Sequence, residues 1–117
     1  MTADASIRPA SHPRLAAGRW AELSLIEQLA NVGSEVGRAC RERERGDTAR
    51  ARSALERGLE LIDLTLADER WRGRRRELTR GRELVCDFLV GDNVHGSTRA
   101  SLDRYYLAFA VAARRSR

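Results

Sequence analysis

The sequence predicts an all-α protein, an antiparallel up-down four-helix bundle with a disordered N-terminal tail. Three observations predict it. Apolar residues recur at three- and four-residue intervals in four separate stretches. Strand-type alternation is absent throughout. The links after the first two stretches are very short, which forces neighbouring helices antiparallel. A chain of 117 residues has room for one domain with a self-sufficient core.

Residues 1–18 contain both prolines, Pro9 and Pro13, and show no apolar period. They are expected to form the tail, leaving 19–117 as the bundle domain. The first helix is expected from Trp20 or Ser24 to Arg43. Ser24-Leu25-Ile26-Glu27 has the form of a capping box, and Leu25, Ile26, Leu29, Val32, Val36 and Cys40 make one stripe. Gly46 ends this helix and Asp47 caps the next. The second helix spans Thr48 to Ala67, with Ala51, Leu55, Leu59, Ile62 and Leu66 inward. Asp68 caps a third, Glu69 to Val90, carrying Trp71, Leu78, Val85, Phe88 and Leu89. After the turn 91–97, a fourth helix runs from Thr98 to Arg114. Its inward residues are Leu102, Tyr105, Tyr106, Phe109 and Ala113.

With 42% hydrophobic and 33% charged residues, the composition is that of a globular protein. No apolar run approaches the roughly 18–20 residues of a membrane span. The first residues lack the apolar core of a signal peptide. A cytoplasmic protein without membrane partners is expected. Cys40 and Cys86 lack metal-ligand spacing and are expected to act as small apolar residues rather than as a disulfide.

All 22 basic residues are arginine, which points to codon bias and weakens arginine number as evidence for nucleic acid. Their clustering still counts. Residues 70–82 hold seven arginines against Glu77 alone, a window of +6 in a chain of +5. Arg70, Arg72, Arg74, Arg75, Arg76 and Arg80 could bind an anion, with phosphate backbone the obvious candidate and Trp71 available for stacking. Cations there oppose the dipole of the expected helix start, and an anion would relieve that conflict. The plainer reading is a solvated face pairing with acids of the first two helices. No helix-turn-helix or zinc spacing supports base reading.

Ala30, Gly33, Ser34 and Gly37 lie on one face of the first helix and predict close packing against another backbone, that of an internal helix or of a second subunit. Ala100, Leu107, Ala108 and Val111 form an apolar stripe opposite the core face of the fourth helix. Leu64 is expected to face away on the second. Together they are candidates for an interface.

No catalytic set is legible. Glu60-Leu-Ile-Asp63, with Glu56, matches half of the metal motif of all-helical nucleotide pyrophosphatases, but the first helix offers no matching acid pair. Mg²⁺-dependent nucleotide hydrolysis is therefore the remote enzymatic reading. Di-iron Glu-x-x-His pairs are absent, and no arginine stands four to six residues before His95, as the Arg-x4-6-His ribonucleases need. His95 is expected to be a solvated loop residue. Arg82 either reaches out to solvent or is buried against Asp63 or Asp87.

Three stretches carry a family likeness: Glu27 to Val36, Ala54 to Thr65 and Tyr105 to Arg114. With Gly91-Asp92-Asn93 and Ser97-Thr98, they resemble a widespread group of short, uncharacterised prokaryotic all-helical proteins. The likeness covers about residues 20–115. It implies the domain limits and a dispensable tail, and no activity, since none is known for the group.

The functional expectation is a non-enzymatic interaction bundle, a homo-oligomer or a small subunit of a larger complex, that needs no metal or cofactor. Its partner is itself or another protein. The alternative is an accessory nucleic-acid binder that docks phosphates on the Arg70–Arg82 face.

Overall fold

The computed structural model describes residues 18–115, the side chains at 109, 110 and 112–114 excepted. The tail up to residue 17, and the expected inward side chains of Phe109 and Ala113, lie outside the described residues. Among the rest there are four α-helices and no strand: α1 Leu25–Glu44, α2 Thr48–Ala67, α3 Arg75–Leu89 and α4 Arg99–Arg115. Short 3-10 segments precede α1, at Trp20–Glu22, and α3, at Glu69–Arg74.

Local chemistry sets the boundaries. The Ser24 hydroxyl accepts the Glu27 amide at 3.1 Å, and the Ser24 amide donates to the Glu27 carboxylate at 3.0 Å. This reciprocal pair satisfies two of the donors that a helix start leaves open. Gly46 stands at φ +83°, where an L side chain is strained. Asp47 then accepts the Arg50 amide at 3.0 Å and starts α2. Thr98 and Ser101 exchange side-chain bonds in the same way at the head of α4.

The expected third helix is divided. Asp68 does cap its start, accepting the Arg70 amide at 3.0 Å. Trp71 then departs from helical geometry, at φ −106° and ψ 20°, and regular α-helix begins only at Arg75. The indole is pulled toward α1, where its N–H finds a partner in Gln28, and the following Gly73 does little to restore the helix.

Side-chain pairings fix the topology. Glu35 meets Arg57, Asp63 meets Arg82 and Glu44 meets Arg99, so α1–α2, α2–α3 and α1–α4 are all antiparallel. The up-down-up-down order follows. The bundle is uneven. α1 lies along both α2 and α4, whereas α3 leans chiefly on α2. The gap between α3 and α4 is spanned by the tyrosines of α4, whose hydroxyls lie over Gly81. Tyr105 and Tyr106 pack edge to face, 4.8 Å between centroids.

The core joins Trp20, Leu29, Val32, Val36 and Cys40 to Leu61, Ile62, Leu78, Val85, Leu102 and Tyr106. α2 is turned by about one position from the expected stripe. Its buried line is Ala54, Gly58, Leu61, Ile62 and Thr65. Leu55, Leu59 and Leu66 pack only at the core's margin. The rotation sets Gly58 against Glu35 and Val36 of α1, at a distance where a Cβ would make ordinary contact. Both cysteines are free thiols, Cys40 fully buried. Among the described residues, no helix is long and apolar enough to cross a membrane.

Candidate functional site

The arginine-rich segment is largely self-satisfied. Arg70 forks onto Asp68, with Nη2 to Oδ2 at 2.6 Å, and also donates to the Leu23 carbonyl at 2.9 Å. Arg75 donates to the Leu66 carbonyl at 2.9 Å, closing the C-terminus of α2, and reaches Glu69 at 3.4 Å. Arg82 grips Asp63 through two bonds of 2.8 and 3.3 Å. It therefore reaches outward from the edge of the core and meets Asp63 at the surface, and the alternative of a buried pair is not what forms. Arg72–Glu69 and Arg74–Glu77 are looser, at 3.5 and 3.4 Å between well-exposed groups. Arg76 and Arg80 form no ion pair among the described residues. Along with Thr79 and Glu83 they border a shallow surface depression.

Trp71 sits apart from any open stacking platform. It is half-buried against the core, donates its indole N–H to Gln28 at 3.1 Å, and has the Arg70 guanidinium 4.5 Å over one ring face. Gln28 itself is fully buried. Its amide nitrogen donates to the Trp20 carbonyl at 2.8 Å and to Asp68 at 3.3 Å. One side chain thus ties the N-terminal turn, the end of α2 and the bend before α3. The Arg70 side chain and the Gln28 amide hold the Asp68 carboxyl down at about 2, against a smaller upward push from burial. Sequence periodicity had no means of finding Gln28, because a polar residue inside an apolar stripe reads as an interruption.

The small-residue face of α1 meets α4. A Cβ on Gly33 would stand 2.5 Å from the Tyr106 Cβ, so the two helices touch there only because Gly33 has none. Beside this contact the face opens into a groove of about 480 Å³. Ala30, Gly33, Ser34 and Gly37 form its floor, and Tyr106 and Leu107 form the far wall. Arg38 and Arg41 also line it, as does Asp103, which pairs with Arg99 at 3.5 Å. Arg38, Arg41 and Arg104 form no ion pair among the described residues.

The α4 stripe continues this face. Leu107 is 56% exposed and Val111 36%, while Ala100 and Ala108 are also exposed. Leu64 does not belong with them. It is half-buried and packs on the core, because α2 is flanked by α1, by the 3-10 segment and by α3.

The acid set of α2 is engaged. Asp63 is held by Arg82, and Glu56 and Glu60 each have partners of their own. Among the described residues no three His, Cys, Asp or Glu side chains come together as a metal site. The 91–97 turn is also more built than expected. Asp87 accepts the amides of Val94 and His95 at 2.9 and 3.0 Å, and its carboxylate lies 3.1 Å from His95 Nδ1. His95 is thus a partner of Asp87, not a free loop side chain. A second groove, unmarked in the sequence, opens between α2 and the end of α3, with Leu55, Leu59, Leu89 and Val90 on its walls.

No protein-family model, curated protein or solved structure matches the chain.

Proposed function

We propose that the protein acts by contact, as a helical-bundle interaction protein that works as a homo-oligomer or as a small subunit of a larger complex. The observation that supports this is the α1–α4 face. Exposed Leu107 lines an open groove floored by small residues, and exposed Val111 follows one turn further along α4. Large apolar side chains beside a concave, backbone-lined floor are what a packed interface needs. Replacing Leu107 and Val111 with Asp is expected to abolish association in sedimentation or light scattering. Thermal unfolding should be nearly unchanged, because exposed positions contribute little to the fold. A strict monomer at high concentration with no copurifying protein overturns the reading.

A second reading, phosphate-backbone binding, draws on Arg76 and Arg80, which are free of ion pairs among the described residues. Arg72 and Arg74 could join them by releasing their loose pairs. Removing Arg72 and Arg76 should then reduce the salt slope of nucleic-acid binding by about one unit per lost phosphate contact. No retention of DNA or RNA at low salt dismisses it.

A further inference from the structure

Which partner fits the α1–α4 groove can be read from its charge, given the contact reading above, on which this inference rests. We infer that the groove receives an amphipathic helix of a different protein, apolar along one face and acidic along its flanks.

The floor is close to backbone, since Ala30, Gly33, Ser34 and Gly37 present little side chain, and the Arg41 guanidinium reaches over its Gly37 end. A floor of that kind lets another helix lay its apolar ridge near the α1 axis. Leu107 supplies an apolar wall, and Val111 extends the exposed apolar stripe one turn beyond it on α4. This is the geometry by which grooves take an apolar helix face at i, i+3 or i+4, and i+7.

The rim is basic and unspent. Arg38 and Arg41 stand on the α1 side, and Arg104 lies one turn before Leu107 on α4. The acid among these groups, Asp103, is already shared with Arg99. Nearby acids of α1 are committed too, Glu35 to Arg57 and Glu42 to Arg45. Two guanidinium groups on the lining of the groove, neither of them in an ion pair among the described residues, call for carboxylates from outside. A second copy docking face to face would set one net-basic lining, with Asp103 as its acid, against another of the same sign. Nucleic acid would satisfy the rim but leave Leu107 and Val111 without apolar cover.

The test uses the full chain and a labelled synthetic helix of about 20 residues, roughly 30 Å long. Its apolar face is Leu and Ala, and its flanks are Glu. A second peptide carries Lys at the flanks. Anisotropy should show saturable binding of the Glu peptide, weakening with salt, and none of the Lys peptide. Arg38→Glu with Arg41→Glu should weaken binding about tenfold or more, the loss of two close charge pairs. Leu107→Asp should weaken it comparably. Arg76→Glu with Arg80→Glu, on the other basic segment, should leave it unchanged. Equal binding of both peptides, or equal loss with the Arg76 and Arg80 variant, overturns the inference. So does single-stranded DNA that binds with the Arg38 and Arg41 dependence but ignores Leu107→Asp. If neither peptide binds but the chain self-associates through Leu107, the inference falls and the contact reading stands. If neither peptide binds and the chain is a strict monomer without copurifying protein, both fall.

Discussion

The segment Arg70–Arg82 and the groove between α1 and α4 are opposite kinds of charged surface. The first holds seven arginines in thirteen positions. Yet Arg70, Arg75 and Arg82 are fixed by Asp68, by the carbonyls of Leu23 and Leu66, and by Asp63. The second has few charges, but Arg38 and Arg41 on its lining remain without ion pairs among the described residues, across from exposed Leu107. Density of charge along the chain therefore overstates the charge available at the surface: of the seven arginines, only Arg76 and Arg80 lack an ion pair among the described residues. A cluster next to a helix boundary also finds backbone carbonyls and capping acids, and these take up guanidinium groups before any partner can.

The contrast breaks most severely at Gln28. If the arginine segment is mainly an architectural joint, Gln28→Ala should destabilise the fold by about 3 kcal/mol, since it strips the half-buried Trp71 N–H of its partner, leaves the Trp20 carbonyl with the Leu23 amide alone and opens a void where a fully buried side chain stood. Urea unfolding measures this. A loss under about 1 kcal/mol would show the joint to be held elsewhere.

On the groove side, Gly33→Ala should cost about 1–3 kcal/mol by overpacking against Tyr106, despite a helix-propensity gain of up to about 1 kcal/mol. The paired control is Gly58→Ala. There a new Cβ meets Glu35 at an ordinary 3.4 Å, so the change should stay within about 1 kcal/mol and may be made in the same urea series. Equal losses at both glycines would remove the distinction between a touching and a merely adjacent helix pair.

Acid titration sharpens the arginine joint. Asp68 lies lower when folded, at about 2, than its ordinary value of 3.8. A depressed carboxyl contributes stability above its unfolded value, and that stability is lost as pH falls. The urea midpoint should therefore decline from about pH 4 toward pH 2, and Asp68→Asn should flatten this part of the profile while lowering stability at neutral pH. A profile unchanged by the substitution would detach Asp68 from the joint.

The smallest effect is expected at the surface. Arg82→Met should cost no more than about 1 kcal/mol, because both partners of the Asp63 pair keep solvent access.

Sequence alone determined the helices and most of their ends. The Ser24-to-Glu27 box, Gly46, Asp47 and Asp68 act within a few residues, so their chemistry is readable without the fold. The apolar stripes of α1 and α3 were legible for the same reason. The clustered arginines were visible too, as was the exposed stripe of α4 at Leu107 and Val111. Only the tertiary structure decided how those parts are used. The rotation of α2 sets Gly58 against α1, and the bend at Trp71 depends on a buried amide forty-three positions away. Asp63 finds Arg82 nineteen residues on, and Asp87 gathers the turn that holds His95. Local pattern fixes which residues can face inward. Pairing between distant charges and backbone groups is settled by packing, and packing determined which arginines were left for a partner.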